Sequence, residues 1–135
     1  MTGFIVFGHG SRVESANQAV RDIAARMAAS GEHVVEPAFL ELGQPDLAGA
    51  VERLSAAGVS RIVVIPYFLT LGTHLRRDLP RLVQEASMSF GGKIQMEVTP
   101  PLDGHPALLE ALLDRASHAL LDRAGRARAG EVRPA

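Results

Sequence analysis

The 135-residue sequence contains no cysteine. That absence removes disulfides, thiolate nucleophiles, iron–sulfur clusters and cysteine-based zinc sites together, so any metal must be held by histidine, carboxylate or backbone oxygen. A basic surplus is missing as well. Lys and Arg number 14 against 15 Asp and Glu, a formal net charge of -1, which does not suit a general nucleic-acid binder. The longest uncharged stretch, between Arg61 and His74, is too short to cross a bilayer. Residues 1–8 are apolar but carry no basic leader and run straight into His9, unlike a secretory signal. The expectation is a cytoplasmic protein that engages neither membrane nor nucleic acid. No internal repeat is present. What remains is 47% hydrophobic and 21% charged, the composition of one soluble globular domain.

Four short apolar runs alternate with four helix-like segments. Phe4-Ile5-Val6-Phe7 shows no polar alternation and predicts a strand buried on both faces. Ala16, Val20, Ile23, Ala24 and Met27 then recur at helical spacing up to a Gly31 cap. The second run, 34–42, contains Pro37, which cannot donate to a ladder and so belongs at a sheet edge. Leu47, Ala50, Val51 and Leu54 make a second helical stripe. Ile62-Val63-Val64-Ile65 is β-branched throughout and predicts the third strand. Leu79, Leu82, Val83 and Ala86 mark the next helix, with Pro80 expected to delay or kink its start. A short fourth strand over 93–98 follows. Pro106 then opens a helix carrying Leu109, Leu112, Leu113, Ala116 and Leu120 on one face.

The alternation predicts an α/β three-layer sandwich with a four-stranded parallel sheet in the order 2-1-3-4. The domain is expected to span 1–123, with 124–135 as a flexible tail. In such a sheet, ligands bind beyond the carboxyl ends of the strands. That rule sorts the five histidines. His9 ends the first strand, His74 follows the third and His105 the fourth, while Glu41 ends the second. His33 precedes a strand at the opposite edge, and His118 points away from its helix's apolar stripe, so both are expected to be ordinary surface residues. His105, beside Pro106, suits a capping role better than a ligand role.

Imidazole and carboxylate without thiolate suit Co, Fe, Ni or Zn and can release the ion. The same imidazoles accept protons near neutral pH. Arg12, Arg76 and Arg77 stand within a few residues of His9 and His74, where guanidinium forks could meet substrate carboxylates. Gly8-His9-Gly10-Ser11-Arg12 lacks the third glycine of a dinucleotide fingerprint and the Gly-Lys-Ser or Gly-Lys-Thr of a phosphate loop. The flanks of Ser11 do not match a hydrolase elbow either.

Phe7-Gly8-His9-Gly10-Ser11-Arg12 with Ala16-Asn17, and Pro37-Ala38-Phe39-Leu40-Glu41, resemble the small CbiX-type sirohydrochlorin chelatases. So do Ile65-Pro66-Tyr67-Phe68-Leu69, the stretch from Gly72-Thr73-His74 through Arg76-Arg77-Asp78-Leu79-Pro80, and Gly104-His105-Pro106. The resemblance covers residues 2 to about 122. It implies a lyase that inserts a divalent metal, Co2+ favoured over Fe2+ or Ni2+, into a sirohydrochlorin-type tetrapyrrole on the route to cobalamin or sirohaem. His9 and His74 would be the metal-binding, proton-accepting pair and Glu41 an assisting carboxylate. The metal would be substrate, with no permanently bound cofactor. Larger relatives enclose the tetrapyrrole between two lobes, so one lobe of this length implies a homodimer. A noncatalytic metal or tetrapyrrole carrier on the same fold is the alternative.

Overall fold

The computed structural model describes residues 1–31 and 33–128. Strand and helix alternate as the apolar runs require: β1 (Thr2–Gly8), α1 (Glu14–Ala29), β2 (Val34–Phe39), α2 (Leu47–Ala56), β3 (Arg61–Pro66), α3 (Thr73–Met88), β4 (Gln95–Val98) and α4 (Pro106–Arg128). All four strands are parallel, in the order β2-β1-β3-β4. Pro37 therefore sits on an edge strand, where its missing N–H costs no ladder bond on the open side.

The pleat divides the side chains of the sheet between two faces. Ile5, Phe7, Ala38, Ile62 and Val64 point to one face and pack with Leu47, Ala50, Val51 and Leu54 of α2 and Leu79, Val83 and Ala86 of α3. Val6 and Phe39 point to the other and meet Val20 and Ala24 of α1. On this α1 face, Val63 and Ile65 of β3 lie in register with Phe4 and Val6 yet remain only half-buried.

One expectation is corrected. Helix α3 begins at Thr73 and contains Pro80 in its interior, so the proline does not delay its start. The apolar face runs on both sides of the proline, through Leu75, Leu79, Leu82 and Val83, and its packing outweighs one lost backbone bond. Pro80 itself is exposed, so the Arg76 carbonyl that loses its donor faces water. Helix α4 runs from Pro106 to Arg128, and 129–135, most of the expected tail, lie outside the described residues. The chain divides into two compact units, Met1–Leu102 and from Asp103 onward. In the second unit, Leu109, Leu112, Leu113 and Leu120 of α4 are 59–69% exposed. Among the described residues, no helix is long and apolar enough to cross a membrane.

Candidate functional site

The carboxyl ends of β1 and β2 continue side by side beyond the sheet. Leu40 N–H donates to the Gly8 carbonyl at 3.0 Å, and Glu41 N–H to the His9 carbonyl at 3.1 Å. Gly10 makes this approach possible: a Cβ there would stand 1.6 Å from the Glu41 carbonyl oxygen, and its φ of +92° belongs to glycine. His9 and Glu41 are thereby brought together, with Nδ1 of the imidazole 3.9 Å from Oε1 of the carboxylate. Both groups are about half exposed, so each is open to a ligand from solution.

The tautomer of His9 follows from what surrounds Nδ1. The Gly10 carbonyl lies 3.2 Å away, and the Glu41 carboxylate lies behind it. Both are acceptors, so Nδ1 carries the proton and the lone pair is left on Nε2. A carboxylate behind one ring nitrogen is the arrangement that orients the other toward a ligand.

His74 arrives from the opposite side. Tyr67 N–H donates to the Phe7 carbonyl at 2.8 Å, prolonging the β1–β3 pairing, and Leu102 N–H fixes the Phe68 carbonyl at 2.9 Å. The chain then turns at Gly72, whose carbonyl receives the Arg76 N–H at 2.9 Å, and His74 falls in the first turn of α3. His9 and His74 line one depression of about 260 Å³ with Leu40, Phe68, Thr73 and Asp78. The Phe68 ring stands edge-on to the His9 imidazole at 6.4 Å between centroids. A half-buried apolar ring beside two imidazoles gives the depression one greasy wall. Among the described residues, no three of His, Asp and Glu lie close enough together to hold a metal ion. The site offers an open pair of imidazoles with a carboxylate behind one of them.

The remaining residues singled out from sequence fall as follows. Arg12 lies exposed in the loop after His9, and Arg76 and Arg77 are exposed in α3 next to His74. His105 caps α4 in the second unit: its Nδ1 accepts from the Ala107 N–H at 3.0 Å and its carbonyl from the Leu108 N–H at 3.0 Å. His33 is exposed and packs edge-on to Phe4. The Ser11 hydroxyl accepts from the Val13 N–H at 3.0 Å as part of the entry to α1, which is a turn role rather than a nucleophile's. Asp78 and Phe68 were not distinguished by spacing. Asp78 lies one helical turn beyond His74, and that period could have marked it.

Comparison with known proteins gives this geometry a family. Residues 3–119 match the model of the CbiX family. The sirohydrochlorin ferrochelatase of Arabidopsis thaliana chloroplasts is 35% identical over 119 residues, covering 87% of this chain and 52% of that protein. The sirohydrochlorin cobaltochelatase of Methanopyrus kandleri is 38% identical over 84 residues, covering 62% and 59%. The chain thus spans little more than half the length of these two curated relatives. Among solved structures, a CbiX protein from Marinobacter aquaeolei superposes with a TM-score of 0.80 at 27% identity, over 90% of this chain and 99% of that one. The sirohydrochlorin chelatase SirB of Bacillus subtilis, in complex with cobalt, gives 0.79 at 25% identity over 87% and 50%. With the family model covering most of its length, a four-stranded parallel sheet in the same fold and two imidazoles at the sheet's carboxyl edge, this chain belongs to the CbiX family.

Proposed function

We propose that the chain is a chelatase of the lyase type, acting in the cytoplasm, that inserts a divalent metal into sirohydrochlorin. The observation that carries this reading is the meeting of His9 and His74 in one depression, with the Glu41 carboxylate behind His9. The curated relatives named as cobalto- and ferrochelatases, and the cobalt complex of SirB, support the same substrate and metal class. Cobalt is the favoured ion. Imidazole donors accept iron and nickel as well, so supply in the cell takes part in the choice.

The chemistry follows from proton and charge balance. Two pyrrole N–H protons leave as the metal enters the macrocycle. Nε2 of His9, turned toward the depression with the Glu41 carboxylate behind the ring, takes one of them, and His74 on the other side of the depression takes the second. Before transfer the same two imidazoles hold the ion at the ring face, which replaces a bimolecular encounter with a positioned one. A two-imidazole site binds loosely enough to give the metal up. Arg12, Arg76 and Arg77 receive the peripheral carboxylates of the tetrapyrrole, and Phe68 offers an apolar edge to the ring.

The active form we propose is a homodimer. The half-buried Val63 and Ile65 on the α1 face of the first unit support it, since both faces of a parallel sheet are normally covered. The exposed leucines of α4 in the second unit support it independently. Titrating the protein with Co2+ alone and then adding sirohydrochlorin separates enzyme from carrier. An enzyme binds the ion weakly and releases a metallated product over many turnovers. A carrier binds it tightly and stops at one equivalent.

A further inference from the structure

Among the described residues, Asn17 is the one polar side chain fully buried, at 1% exposure. It lies in the first turn of α1, and its amide is fully used. Oδ1 accepts from the Ser11 N–H at 2.9 Å, while Nδ2 donates to the Ser11 carbonyl and to the Leu42 carbonyl, both at 2.9 Å. A longer contact of 3.4 Å reaches Glu14 Oε2. One amide therefore ties the loop after β1 to the loop after β2.

The two tied segments are those that carry His9 and Glu41. Ser11 is two residues beyond His9, and Leu42 is next to Glu41. Leu42 has a φ of +56°, a left-handed conformation that costs a leucine energy and persists only where surrounding contacts hold it. The bond from Asn17 to its carbonyl is such a contact. Without that bond Leu42 can return to an ordinary conformation, and Glu41 turns with it.

We propose that Asn17 is a positioning residue for the His9–Glu41 pair: it fixes how close the carboxylate stands to the imidazole, and through that the metal affinity of the site. The proposal rests on reading His9 and Glu41 as the metal-handling pair. Its test is a double-mutant cycle on Co2+ binding, measured by calorimetry without tetrapyrrole, with circular dichroism and thermal melting as controls for folding. Asn17→Ala and Glu41→Gln are each expected to weaken Co2+ binding about tenfold, the usual cost of removing a group behind a ligating imidazole. The double variant is expected to lose about tenfold as well, because both changes act through one contact. A double loss of about a hundredfold would show independent effects and overturn the proposal. Wild-type affinity in Asn17→Ala, with Glu41→Gln impaired, would overturn it too. If alanine prevents folding, Asn17→Asp replaces it in the cycle with the same expected outcomes: it keeps the acceptor for Ser11 N–H and loses both donors. Wild-type Co2+ affinity in both His9→Ala and Glu41→Gln would instead refute the reading of the pair, and the positioning role would fall with it.

Discussion

At the scale of single residues, the site depends on which nitrogen of His9 faces the metal. The Gly10 carbonyl and the Glu41 carboxylate occupy the Nδ1 side, so Nε2 is the nitrogen left for the proposed chemistry. His9→Ala and His74→Ala are therefore expected to abolish chelation while leaving the fold intact, since both side chains are exposed and contribute little packing. Glu41→Gln keeps the shape and removes the charge, and its rate is expected to fall about tenfold. Single-turnover absorption kinetics on the three variants check this, and undiminished rates in the histidine variants would contradict the assignment. The placement of His9 and Glu41 at neighbouring strand ends was legible in the sequence because the topology fixes those positions, whereas His74 reaches the same depression from the first turn of α3. Asn17 carried no such signal beyond its place in a family-like motif. Its place three and seven residues before Val20 and Ala24 puts it on the buried face of α1, but its partners, the Ser11 and Leu42 carbonyls, lie in loops that helical spacing does not reach.

At the scale of elements, two local backbone features make opposite predictions. Gly10 lets the β1 and β2 loops touch, so Gly10→Ala forces a methyl into the Glu41 carbonyl and strains a positive φ. The expected cost is at least about 2 kcal/mol of stability together with a separated His9–Glu41 pair, read as a lower melting temperature and weaker Co2+ binding. Pro80 is the reverse case. It sits exposed inside α3 and deprives the Arg76 carbonyl of its helical donor. Pro80→Ala restores that bond and is expected to raise stability by roughly 1–2 kcal/mol, after allowing for the freer unfolded chain. A melting temperature unchanged or lowered by the substitution would show that α3 gains from its proline. The strand order was legible because Pro37 can serve only at an edge. The start of α3 was not: local proline chemistry argues for a break, whereas the leucine face that overrides it acts through the tertiary core.

At the scale of the whole molecule, the apolar surface left open argues for a second copy. Leu112 and Leu113 on α4 are 69% and 59% exposed, and Val63 and Ile65 on the α1 face of the first unit are only half-buried. Light scattering at micromolar concentration is expected to give twice the mass of one chain. The double substitution Leu112→Glu and Leu113→Glu is expected to give a folded monomer, because two charges replace the stripe that association would bury. A wild-type chain that stays monomeric would count against the dimer without touching the assignment of the imidazoles. Helix positions and their apolar faces were readable from periodicity. The division into two units was not, because periodicity shows that a helix has a buried face and leaves open what buries it.

The central claim is that His9 and His74 make this chain a catalyst of metal insertion. Its most direct measurement is the initial rate at which sirohydrochlorin acquires its cobalt spectrum when mixed with Co2+, with and without the protein. The expected rate lies well above the protein-free control, is proportional to protein concentration, and falls to the control level in His74→Ala. A rate equal to the control at every protein concentration would contradict it.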